Sequence, residues 1–75
     1  MKLEIGTVLK CKTGLWEIIN IFVQWNPVDD VMETKCIITN HGGVANFAGE
    51  EVTKEETVFA EVLMKSLKEG KSQIV

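Results

Sequence analysis

Apolar and polar residues alternate along most of the chain and then change period, which divides it into a β-rich part and a helical part. From Met1 to Cys11 the apolar residues Met1, Leu3, Ile5, Leu9 and Cys11 fall on odd positions, and Lys2, Glu4 and Lys10 fall between them. That is the period of a half-buried strand. Gly6 interrupts it where a bend or bulge is expected. Lys12-Thr13-Gly14-Leu15 reads as a tight turn, because glycine supplies the positive φ of hairpin connections. The first two strands should therefore pair antiparallel.

The next stretch, Leu15 to Trp25 (LWEIINIFVQW), has eight large apolar residues in eleven and lies between the breakers Gly14 and Pro27. Glu17, Asn20 and Gln24 are spaced three and four apart, so period alone also allows a helix. The β-branched residues, two Trp and one Phe decide for a strand. Simple alternation points Trp16, Ile18 and Phe22 to one face and Ile19, Ile21, Val23 and Trp25 to the other. Either both faces are covered, or a bulge near Asn20 swaps them.

Asn26-Pro27-Val28-Asp29-Asp30 is a loop: proline fixes φ and lacks a donor, and the two Asp favour turns. Val31 to Thr39 returns as a third strand, with Met32, Cys36 and Ile38 on one face and Glu33 and Lys35 on the other. Asn40-His41-Gly42-Gly43 is a turn signal, Val44 to Ala48 a short fourth strand, and Gly49 its end. The period then becomes helical. Thr53 followed by Glu56 matches a capping box, Lys65 and Lys68 stand near the far end, and Gly70 follows, which predicts a helix from Lys54 to Glu69. Val58, Phe59, Val62, Leu63 and Leu67 form its apolar stripe. Such a helix cannot pay for its own ordering and must lie on the sheet. Ser72 to Val75 reads equally as a tail or as a short edge strand.

Length makes this a single domain, residues 1–75. A chain of this size buries only ~60–65% of its unfolded surface, which implies modest stability. Its 45% apolar and 25% charged residues are those of an ordinary globular protein. No segment approaches the roughly 18 consecutive apolar residues that cross a bilayer, and no apolar signal core follows Met1, so a cytoplasmic protein is expected. The net charge of −3 is uneven: residues 26–52 carry one Lys against five acids. An acidic domain repels phosphate backbones, which argues against nonspecific nucleic-acid binding and against an anionic membrane surface.

The candidate chemistry is sparse. Cys11 and Cys36 lie in alternating apolar segments and read as reduced core thiols. With His41, the only histidine, they form the one conceivable nucleophile and base pair, but no oxyanion-hole signature flanks them. The same residues lack the close pairs that build zinc sites. Asp29, Asp30 and Glu33 match no calcium-loop spacing, and Gly42-Gly43 matches no phosphate loop. No metal and no cofactor is expected.

Aromatics carry more information. Trp16, Phe22 and Trp25 on one strand exceed what a four-stranded sheet with one helix hides easily. Either the sheet curls into a barrel around them, or they form a patch that binds another protein or a second copy, with Trp25 at its rim.

The opening IGTVLKCKTGLWEIINI resembles the first hairpin of small SH3-like barrels over residues 5–23, in which a Gly-Thr-Val step leads through a glycine turn into an apolar strand. The resemblance implies an adaptor module for proteins or nucleic acids. Such barrels usually end in a short 3₁₀ turn and a fifth strand, and this chain departs from them with a helix. The expected architecture is thus α+β and mainly β: a four-stranded antiparallel curved meander followed by one C-terminal helix. The expected function is a non-catalytic protein-binding module, anchored by Trp25, Trp16 and Phe22 and rimmed by Asp29, Asp30 and Glu33. Phages and mobile elements encode inhibitors and accessory factors of this size. One alternative is an SH3-like nucleic-acid binder using Lys10, Lys12 and Lys35; another is a minor Cys/His enzyme.

Overall fold

The structure, a computed structural model, describes residues 3–41 and 55–75. Over these residues the protein is mainly β, one antiparallel sheet of five strands with one helix. The strands are β1 (Val8–Cys11), β2 (Gly14–Asn26), β3 (Val31–Asn40), β4 (Glu55–Phe59) and β5 (Ser72–Ile74), and α1 (Ala60–Lys68) lies between the last two. Their order across the sheet is β4-β3-β2-β1-β5, and every neighbouring pair is antiparallel. β4 and β5 therefore run the same way at opposite edges, and α1 carries the chain from one edge to the other.

The sheet is open, and closure into a barrel is not observed. The expected strand over Val44 to Ala48, Gly49, the Gly42-Gly43 half of the Asn40 to Gly43 turn and the Thr53 cap lie outside the described residues.

The β1–β2 turn forms where the sequence places it, with Gly14 at φ 125° and Cys11 facing Gly14 across the ladder. β2 then pairs with β3 along nearly its whole length. The register slips once, from Ile18↔Ile38 to Asn20↔Ile37, so that Ile19 is an extra residue. This bulge settles which residues share a face. Trp16 and Ile18 point inward before it, and Ile21, Val23 and Trp25 share that inner face after it, because one inserted residue inverts the alternation. Phe22 is turned to the outer face, where it stands opposite Lys35.

Two expectations about the C-terminal third are corrected. Glu55–Phe59 is a strand, and the helix begins only at Ala60, with Phe59 as its N-cap and no side-chain cap hydrogen bond. Thr57, Val58 and Phe59 suit an extended edge, and the Lys35–Thr39 stretch of β3 offers them a full antiparallel ladder. The helical stripe thus shrinks to Leu63, which is buried, with Ala60 and Leu67 packed beside it. The helix ends as expected. Gly70 adopts φ 77°, its N–H donates to the Leu67 carbonyl at 3.2 Å, and the Lys71 N–H reaches the Ser66 carbonyl at 2.9 Å. Both bonds belong to a Schellman termination. Residues 72–74, left open between tail and strand, form β5 against β1.

The buried core is Leu9, Trp16, Ile18, Cys36, Ile38 and Leu63, with Leu3, Cys11, Ile21 and Val58 packed against it. All its strand members lie on the inner face, and α1 covers them. The Ser66 and Ser72 hydroxyls, 2.6 Å apart, tie the helix to β5 where Ser72 is buried.

Candidate functional site

β2 and β3 outrun their neighbours. β1 reaches only Glu17 of β2, and β4 stops at Phe59 opposite Lys35 of β3. Residues 22–26 and 31–34 therefore pair only with each other and form a two-stranded arm. Its tip is built by Asn26, whose Oδ1 accepts the N–H groups of Val28 at 3.0 Å and Asp29 at 3.3 Å, while its Nδ2 donates to Asp29 Oδ2 at 3.2 Å. Asp30 completes the turn at φ 54°, a conformation Asp tolerates better than most residues.

Along the inner face the core continues onto this arm, but the helix does not. Val23, Trp25 and Met32 stay 58%, 51% and 60% exposed, and Trp25 stands directly across from Met32. Lone exposed apolar residues are ordinary, whereas three contiguous ones on a paired ladder are an apolar patch. At the tip Val28 is 89% exposed, beside the exposed Asp29 and Asp30. A groove of about 390 Å³ separates the first four residues of β3 from the start of α1; Met32 and Phe59 supply apolar walls, and Glu33 and Glu61 supply carboxylates. The patch is thus apolar, with the acids Asp29 and Asp30 at its tip end and Glu61 across the groove.

The six expected binding residues divide. Trp25 stands in the patch, and Asp29 and Asp30 are exposed at the tip beyond it; Glu33 lines the groove but, opposite Gln24, lies on the outer face with Lys35 and not beside Trp25. Trp16 is corrected: it is 0% exposed, packed in the core, with its Nε1 donating to Thr13 Oγ1 at 3.0 Å. Phe22 is corrected too: alternation sets it on the opposite face from Trp25, and the bulge at Ile19 parts it from Trp16 and Ile18 and turns it outward, opposite Lys35. Val23 and Met32, absent from the expected set, belong to it. Their signal was the alternation within each arm strand; what it does not give is the β2–β3 register that sets Met32 across from Trp25.

The lysines of the nucleic-acid alternative do not converge. Lys10 is level with Leu15 of β2 and Lys35 with Phe22, a separation of roughly 20 Å along the strand. Lys35 is engaged, with its Nζ 2.7 Å from Gln24 Oε1 and 5.3 Å from the centre of the Phe59 ring.

Nor are the thiols near the imidazole. His41 Nε2 lies 2.8 Å from Glu17 Oε1 on the outer face, whereas Cys36 and Cys11 are on the inner one. Both thiols are free, and burial pushes the Cys36 thiol above its ordinary value. Cys11 Sγ instead sits 2.9 Å from Thr13 Oγ1. Among the described residues no three His, Cys, Asp or Glu side chains gather as a metal site, and no helix is long and apolar enough to cross a membrane.

Compared with protein-family models, curated proteins and solved structures, the chain matches none of them.

Proposed function

We propose that the protein is a non-catalytic binding module that docks on another protein through the inner face of the β2–β3 arm. The observation that carries this reading is the run of Val23, Trp25 and Met32 past the end of the helix, an extension of the core face with no cover among the described residues. A half-exposed Trp held on a two-stranded ladder is a favourable anchor, because it buries a large area and loses few rotamers on binding. The carboxylates of Asp29, Asp30 and Glu61 favour a partner with a basic rim, which sets orientation and encounter rate more than affinity. Action in the cytoplasm by occlusion or recruitment agrees with the SH3-like opening hairpin and with adaptor or inhibitor modules of this size, such as those of phages.

The test is affinity capture from lysate with the wild type and with Met32→Glu, which places a charge in the patch without touching the core. A partner held by the wild type and lost by the variant, with an unchanged thermal transition, is the expected result. An identical captured set would refute the docking face.

A further inference from the structure

The arm has an open edge as well as an open face. On the side of β2 away from β3, the neighbour ends at Glu17, and the last main-chain bonds there join Ile18 to Gly6 and Thr7. Beyond that point no described residue pairs with this side of β2. The Ile21 N–H is taken by Asn20 Oδ1 at 2.9 Å, which places it on the side away from β3. Strand alternation then turns the main-chain groups of Val23 and Trp25 to the same open side.

Natural sheets protect such edges with Lys, Pro or inward charges. This one has none: from Ile18 to Asn26 there is no ionisable side chain and no proline. Other open edges differ. The β4 edge carries Glu55 and Glu56, the unpaired side of β3 carries Glu33, and β5 spans three residues.

We propose that the open edge of β2 pairs antiparallel with the same edge of a second copy about a two-fold axis at Val23. The occupant follows from charge and symmetry. Copies of net charge −3 repel in general, and a neutral edge is where two of them meet without facing like charges. An antiparallel edge is also its own complement: with Val23 opposite Val23 of the second copy, Ile21 of each stands opposite the other's Trp25, apolar against apolar on the inner face. The two five-stranded sheets become one continuous sheet, and the two Val23, Trp25 and Met32 faces lie on the same side of it. The inference thus goes beyond the docking reading, since it concerns the edge and leaves Met32 free.

Magnitude decides the kind of dimer. Residues 20–26 give an edge of roughly 23 Å, which at a depth of roughly 10 Å covers on the order of 230 Å², well short of the ~800 Å² per partner of a standard stable interface. The association is therefore weak and dissociates on dilution.

Light-scattering mass and residue-resolved amide exchange by NMR, each across a concentration series, test it. The mass is expected to climb from 8.4 kDa toward twice that value. The Val23 and Trp25 amides should slow in parallel, while those of Phe22 and Gln24, turned to β3, stay protected throughout. Constant mass overturns the proposal, as does doubling with the Val23 and Trp25 amides still fast. Val23→Pro, which removes an outward donor, should weaken association by roughly tenfold or more; unchanged dimerisation in a folded variant also overturns it. If that variant does not fold, wild-type exchange decides. Met32→Glu separates the two readings, because it should lose partner capture and keep the mass increase.

Discussion

Trp16 and Trp25 share the inner face of one strand, nine residues apart, yet replacing each by alanine should have very different consequences. Trp16 is fully buried in the core and also loses its bond to Thr13 when truncated. Phe or Trp to Ala in a core typically costs about 3–5 kcal/mol. A 75-residue domain has roughly 4–11 kcal/mol in all at ~0.05–0.15 kcal/mol per residue, so Trp16→Ala removes about a quarter or more of it. Trp25 already shows 51% of its surface to water. Full burial of a large apolar side chain is worth about 1.5–3 kcal/mol, so half burial leaves about 1 kcal/mol to lose.

At about 4–8 °C per kcal/mol for a domain of this size, Trp25→Ala should lower Tm by less than about 8 °C and Trp16→Ala by about 12 °C or more. Thermal melts followed by far-UV circular dichroism measure both, and acrylamide quenching of the Trp25→Phe and Trp16→Phe variants reports each remaining indole separately. Equal losses for the two alanine variants, or an unquenched Trp25, would place Trp25 in the core and refute the docking face.

Three further outcomes follow from particular contacts. Gly70→Ala meets no neighbouring atom but must hold φ near 77°, so it should cost about 1–2 kcal/mol in the urea midpoint, from backbone strain alone. Ser66→Ala leaves the buried Ser72 hydroxyl without its partner and should cost about 1–3 kcal/mol, whereas the double alanine variant should cost less than the sum; strict additivity in the cycle would show that the hydroxyls do not interact. Because burial raises the Cys36 thiol above 9.0, its contribution is fully present below that unfolded value and is lost as pH rises toward the raised folded one. The midpoint of wild type should thus fall relative to Cys36→Ala above about pH 9, and a thiol reagent near neutrality should label Cys11 well before Cys36.

Much of the sheet was readable in the chain because alternation is local. The Val8–Cys11 end of the odd-numbered strand, though not the described residues 3–7 before it, the Gly14 turn, the Pro27 loop and the inward Cys36 and Ile38 all depend on neighbours within a few residues. The bulge was foreseen only as one option, since Ile18, Ile19 and Ile21 are equally apolar and nothing in them says which is extra; the β3 ladder makes that choice. Glu55–Phe59 was misread for a related reason. Val58 and Phe59 fit a helical stripe, and the glutamates look like a first helical turn, but the free side of β3 captures the segment as an edge strand. Of the docking residues Trp25 was legible as an excess aromatic, while Trp16 looked the same in sequence. Only the path of α1, which stops short of the arm, separates them.

β1 has one partner near it in sequence and the other more than sixty residues away, and the Val8 carbonyl accepts its bond from the Val75 N–H at 3.0 Å. β1 therefore remains half-satisfied until residues 72–75 have been made. Native structure must arrive late and all at once rather than growing from the front, with slow kinetics for so short a polypeptide, and a truncation that removes those residues should cripple the whole domain rather than trim it.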